Sequence, residues 1–191
     1  PYGDFEFEES VRTFAKTISY GAKAGVDLIL IETMNDSYET KAAVLAAKEN
    51  SDLPVFASNA YSEDGKLMTG ASPSAMVAML EGLEVDALGV NCSLGPKQLM
   101  GVITEILKYS STPVFAKPNA GLPVNKDGIT KFDVDSDEFA EDITKMAKAG
   151  VAILGGCCGT NPEYIKKTVA ATHDIPIAPI TDKEITLVSS Y

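Results

Sequence analysis

The chain has 191 residues, 45% of them hydrophobic and 23% charged, enough to bury roughly 70% of its unfolded surface in a single domain. Its formal net charge of −11, with no Arg/Lys cluster, argues against nucleic acid and anionic membrane surfaces as partners. No apolar run nears the roughly 20 residues needed to span a bilayer, the opening Pro1-Tyr2-Gly3-Asp4 lacks a leader pattern, and three cysteines make a disulfide framework improbable; a reducing cytoplasm is expected.

Phe5 to Ala24 has helical spacing, with Phe7, Val11, Phe14, Ala15 and Ile18 on one face and Gly25 as its stop. Five short apolar runs follow, beginning near Asp27 (DLILIE), Pro54 (PVFASN), Asp86 (DALGVN), Pro113 (PVFAK) and Val151 (VAILGG). Such continuous runs are expected of parallel strands covered on both faces. Helix starts lie between them. Asp36 with Glu39 forms a capping box, while Ser72, Gly95 and Asn161 each precede a proline suited to a first helical position. Asp135 to Glu138 opens a helix that ends at Gly150.

Two connections, Asn59–Ala71 and Pro118–Val134, are long and read as loops covering a site, with Tyr61 and Lys66 of the first approaching a partner domain. His173, the only histidine, is expected on the surface at the end of the last helix. The alternation of elements predicts a parallel α/β sheet. Strand starts are 27, 32, 27 and 38 residues apart, against about 31 per unit in a (β/α)₈ barrel of ~250 residues. Periodicity alone leaves two architectures open: the last five-eighths of such a barrel, or a complete five-stranded doubly wound sheet.

All three cysteines fall just past the C-terminal ends of expected strands. Cys92 follows Ala87-Leu88-Gly89-Val90, and Cys157 with Cys158 follows Val151–Gly156. A lone cysteine is most often a small core residue. Three at the edge of a parallel sheet where ligands bind make a metal site with one position open, suited to a zinc ion that activates a substrate. Zinc held by three thiolates carries a net charge of about −1 and polarises a carbonyl poorly, but it keeps a fourth sulfur ligand deprotonated at neutral pH. The expected chemistry is therefore attack by a substrate sulfur. A non-catalytic zinc or redox module, with Cys157 and Cys158 as sensing thiols, is the alternative from another class. A complete five-stranded α/β domain for a small acidic or phosphorylated ligand lacks support, since there is neither GxGxxG after the first strand nor a Walker-type motif.

The segments GVNCSLGP (Gly89–Pro96), KPNAGLP (Lys117–Pro123) and GGCCGT (Gly155–Thr160) together resemble the homocysteine S-methyltransferase family. The tail Ile185–Tyr191 resembles the segment leaving the homocysteine domain in the cobalamin-dependent methionine synthase branch. The resemblance spans nearly the whole chain. It implies a (β/α)₈ TIM-type barrel, of which residues 1–191 are a single-domain, C-terminal five-eighths: five strand–helix units, strands 4 to 8, with the first three strands missing.

It also implies Zn²⁺ bound by Cys92, Cys157 and Cys158, and homocysteine as the substrate methylated to methionine. Methylcobalamin presented by another domain is the implied methyl donor, with betaine or S-methylmethionine as alternatives. The implied partners are the cobalamin- and folate-binding domains of a longer protein. Glu32 matches a family acid that holds the homocysteine ammonium, a role that needs an anionic acceptor. Asn119 either positions substrate and steadies the site or forms a turn. Asn91 and Ser93 flank Cys92 and either hydrogen-bond to sulfur or form the turn, while Asp36 reads as a helix cap. Because the family's DGAMGT-like motif and three strands have no counterpart here, the chain alone is expected to keep the zinc ligands but turn over weakly or not at all. Two exposed barrel edges would also favour self-association.

Overall fold

The computed structural model describes residues 3–126 and 128–189. Helix α1 (Phe7–Ala24) ends at Gly25, whose φ of 82° closes it in the left-handed conformation. It lays Val11 and Ile18 into the core, with Phe7, Phe14 and Ala15 packed alongside. Then come β1 (Ile29–Met34), α2 (Ser37–Asn50), β2 (Val55–Asn59), α3 (Pro73–Gly82), β3 (Ala87–Asn91), α4 (Pro96–Tyr109) and β4 (Val114–Lys117). A hairpin of β5 (Pro123–Lys126) and β6 (Ile129–Phe132) precedes α5 (Ser136–Ala149), β7 (Ile153–Leu154) and α6 (Pro162–Thr172). The expected caps form: Asp36, Ser72, Asp135 and Asn161 each accept a hydrogen bond from a first-turn N–H.

The five-stranded sheet is parallel, in the order β1-β2-β3-β4-β7, so each strand lies beside the one before it. A doubly wound sheet reverses its order partway; this one does not. Right-handed crossovers without a reversal put every helix on one side, which is the winding of a barrel wall. Register agrees. Ile31, Ala57, Leu88 and Val114 align across four strands and all belong to the buried core between sheet and helices. Leu30 aligns with Phe56 and Ala87 on the opposite, concave face, where Leu30 is 43% exposed. Ile153 of β7 is likewise 41% exposed. Among the described residues no strand pairs with the outer edge of β1 or of β7.

Two details differ from the sequence expectation. Most of Pro118–Val134 is not irregular, because its centre folds into the antiparallel hairpin β5–β6. Gly128, at φ 76°, closes the turn and donates its N–H to Asn125 Oδ1 at 3.0 Å. The hairpin strands, PVNK and ITKF, have little apolar alternation, so the turn residues are their main signature. In the Asn59–Ala71 connection, Tyr61 is only 1% exposed and belongs to the core, so it cannot meet a partner domain; Lys66 is exposed.

His173 follows α6 at the surface. The tail beyond it forms no helix or strand. It is tied back where the Lys183 N–H donates to Ser111 Oγ at 2.8 Å, and Leu187 and Val188 then line a groove of about 640 Å³ with Tyr38, Met79 and Leu83 of α2, α3 and the adjoining turn. Ser190 and Tyr191 of the tail motif lie outside the described residues. No helix among the described residues is long and apolar enough to cross a membrane.

Candidate metal centre

After β3 the chain turns sharply through Cys92 (φ 62°) and Ser93 (φ 59°), two non-glycine residues in the left-handed region. Each such residue costs about 1–3 kcal/mol, which the surroundings must offset. Backbone hydrogen bonds hold the turn: the Cys92 N–H donates to the Lys117 carbonyl at 3.1 Å, and the Leu94 N–H to the Cys92 carbonyl at 2.7 Å. Beyond β7, the Cys157 N–H donates to the Pro118 carbonyl at 2.8 Å, while the Thr160 hydroxyl donates to the Cys157 carbonyl at 2.7 Å. Gly159 completes this second turn at φ 80°. A Cβ there would lie 2.4 Å from the Phe132 ring, so the hairpin rests directly on the cysteine turn.

These turns bring the three thiols together. Cys92 Sγ lies 3.7 Å from Cys158 Sγ, Cys157 Sγ lies 4.0 Å from Cys158 Sγ, and all three fall within 4.8 Å of one another. None is in a disulfide. Tetrahedral zinc with Zn–S bonds near 2.3 Å would set its sulfurs about 3.8 Å apart. The trio fits that ion with adjustments of a few tenths of an ångström to about an ångström, and a set of three soft thiols favours zinc over hard cations. Cys158 is exposed and the other two partly so, which leaves one side of the cluster approachable. Without a cation Cys158 holds its proton: its pKa is pushed up to about 11, first by its hydrogen bond with Cys92 and then by burial. A bound dication reverses that preference.

Asn91, buried at the end of β3, links the thiols to the first strand. Its Oδ1 accepts from the Thr33 N–H at 2.8 Å and from Ser58 Oγ at 2.7 Å. Its Nδ2 donates to Thr33 Oγ1 at 2.7 Å and approaches Cys157 Sγ at 4.0 Å. Thr33 itself sits at φ 62°, where β1 carries one extra residue against β2 between Ile31 and Met34.

Asn119, also buried, clips the two cysteine turns together: its Oδ1 accepts from the Cys158 N–H at 3.0 Å and its own N–H donates to the Leu94 carbonyl at 3.1 Å. Ser93 contributes the left-handed backbone of its turn. Glu32 stands exposed on the concave side of β1, its carboxylate paired with the ammonium of Lys117. Asp36 caps α2, accepting from the Glu39 N–H at 2.7 Å. Thr33, Ser58 and Lys117 complete the arrangement without having been marked by sequence reasoning; only Lys117, at the head of KPNAGLP, lay within a recognisable motif.

The family model for homocysteine S-methyltransferase matches residues 1–172. Methionine synthase of Mycobacterium leprae is 35% identical over 153 residues, covering 77% of this chain and 13% of that protein. Methionine synthase of Mycobacterium tuberculosis is 34% identical over 157 residues, covering 79% and 13% respectively. The chain thus spans about an eighth of the length of these curated relatives. Among solved structures, the homocysteine methyltransferase MmuM from Escherichia coli superposes in its metallated form with a TM-score of 0.70 at 23% identity, over 85% of this chain and 52% of that one. At that identity the likeness speaks for the fold.

Proposed function

We propose that this chain, which belongs to the homocysteine S-methyltransferase family, holds zinc through Cys92, Cys157 and Cys158 and activates the thiol of homocysteine for methylation to methionine. One observation carries the reading: three thiols from two strand ends converge within 4.8 Å at the edge of the sheet where barrel enzymes bind ligands. Bound there, zinc would keep an incoming thiol deprotonated at neutral pH.

The rest of the work falls to the chain's own groups. Asn91 and Asn119 hold the cysteine turns in position through buried hydrogen bonds, and Glu32 offers a carboxylate to the substrate ammonium. The thiol proton leaves to solvent. The sulfur then forms a bond to the methyl carbon, and the donor departs with the electron pair that had bound it. Methylcobalamin is our reading of the donor, presented by another domain of a longer protein that also carries folate-binding sequence. The support is that the methionine synthases are the nearer in sequence, at 34–35%, against 23% for MmuM. In this reading the five strands are the fourth to eighth of an eight-stranded barrel. Three unbridged thiols suit a reducing cytoplasm.

The test is metal content and metal environment together. Purified chain should bind one zinc per molecule, and Cys158→Ala should lose it on dialysis against a mild chelator. Adding homocysteine should shift zinc X-ray absorption from three sulfur ligands to four. Metal retained equally by the alanine variant would refute the site, and an unchanged spectrum would refute the substrate.

A further inference from the structure

On the five strands of the parallel sheet, Lys117 is the one basic residue. It ends β4 in register with Asn91, and its carbonyl receives the Cys92 N–H. Its stem runs over Gly155, where a Cβ would lie 3.1 Å from Lys117 Cγ, so the side chain crosses the floor of the site two residues from Cys157. Its ammonium lies 5.8 Å from the Phe115 ring centroid and reaches across β3 and β2 to the carboxylate of Glu32 on β1. The side chains are 22% and 46% exposed, respectively. The pair therefore joins the far side of the concave face to the strand beside the thiols, within reach of solvent.

We propose that Glu32 and Lys117 form a clasp for a zwitterionic α-amino acid, in which the substrate ammonium takes Glu32 while Lys117 turns to the substrate carboxylate. The inference rests on the proposed function and adds Lys117 as the group that reads the carboxylate. Charge is the argument. Zinc with three thiolates is net about −1, a substrate thiolate lowers it further, and Glu32 adds another negative charge close by. A carboxylate entering such a field needs a cation, and Lys117 is the strand residue that can supply one. A zwitterion brings one charge of each sign, so opening the pair leaves neither side chain without a partner. A partly exposed ion pair is only weakly held, so the exchange is easily made. Held in the pair, Lys117 also keeps Glu32 oriented before substrate arrives.

The test compares three thiols on the zinc-loaded chain by calorimetric titration: L-homocysteine, 3-mercaptopropylamine, which lacks the carboxylate, and 4-mercaptobutyrate, which lacks the ammonium. Lys117→Met should weaken homocysteine and 4-mercaptobutyrate about tenfold or more. The same variant should leave 3-mercaptopropylamine unchanged or tighter, because Glu32 is released from its partner. Glu32→Gln should do the reverse, and Lys117→Arg should retain most of the homocysteine affinity. Zinc content, measured alongside, separates a lost clasp from a lost fold. Equal weakening of all three thiols by Lys117→Met, with zinc retained, would make the residue a strand brace and overturn the clasp. So would no change in any of them. If none of the thiols enters the zinc coordination sphere of the unaltered chain, the underlying function fails and the clasp with it.

Discussion

Asn91 holds Thr33 twice, accepting from its backbone N–H at 2.8 Å and donating to its hydroxyl at 2.7 Å. The contact joins residues 58 apart in sequence. It fixes the irregular end of the strand bearing Glu32 against the residue that precedes Cys92. One side chain thereby sets the distance between the Glu32 carboxylate and the thiols.

Asn91→Ala should remove both grips and the approach to Cys157 together. Groups that orient metal ligands are worth about 10- to 100-fold in metal affinity. Competition against a chromogenic chelator should show zinc binding weakened by that order, with the chain still folded. Affinity within twofold of the unaltered chain would mean that the cysteine turns hold themselves.

The metal-free chain should be slow to alkylate at Cys158. Its thiol titrates near 11, against about 8.5 for an unperturbed cysteine, so thiolate is scarce at pH 7.5. Iodoacetamide labelling followed by peptide mass spectrometry should accelerate only as pH climbs toward that value. The linked stability has the same sign. A folded-state pKa above the unfolded one favours the metal-free fold below about pH 8.5, and that contribution is lost as pH rises through the folded value. Rapid labelling at neutral pH would contradict the hydrogen-bonded thiol cluster.

Gly159→Ala places a Cβ 2.4 Å from the Phe132 ring at a φ of 80°. Both effects oppose the substitution, and together they should cost roughly 1–3 kcal/mol or more. Phe132→Ala in the same chain should recover the steric part and leave the backbone part. Thermal melts of the unaltered chain and the two variants separate the two contributions; a melt unchanged by Gly159→Ala would show that the hairpin does not rest on the cysteine turn.

Asp135 caps α5, accepting from the N–H groups of Asp137 and Glu138 at 3.0 Å each. These bonds hold its carboxyl below the usual carboxylate range, so the cap is present above the unfolded pKa and fades as the solution is acidified through the folded value. Asp135→Ala should lower stability in urea melts at neutral pH, and the difference from the unaltered chain should shrink in acid. A difference that persists unchanged at low pH would assign the loss to something other than the charged cap.

The outer edges of β1 and β7, unpaired among the described residues, present strand hydrogen-bonding groups beside the exposed Leu30 and Ile153. Light scattering should find concentration-dependent self-association of the isolated chain. A monodisperse monomer at high concentration would show that these edges are protected in solution.

Much of this architecture could be read from short stretches of chain. Asp36, Ser72, Asp135 and Asn161 mark helix starts because a capping side chain bonds within three residues of itself. The five apolar runs mark strands because parallel strands read as short continuous apolar stretches, although at Leu30 and Ile153 the concave face stays open. Three cysteines at strand ends, inside motifs with a family resemblance, pointed to the thiol cluster that the structure brings together within 4.8 Å. Composition and periodicity alone could not choose between a barrel wall and a doubly wound sheet, since that depends on which strands lie side by side. The β5–β6 hairpin escaped because its strands carry little apolar alternation. The burial of Tyr61, the left-handed turn at Cys92 and the meeting of Glu32 with Lys117 likewise belong to the assembled sheet. Such features arise from contacts between residues distant in sequence, and curvature and strand order, rather than any local pattern, decide them.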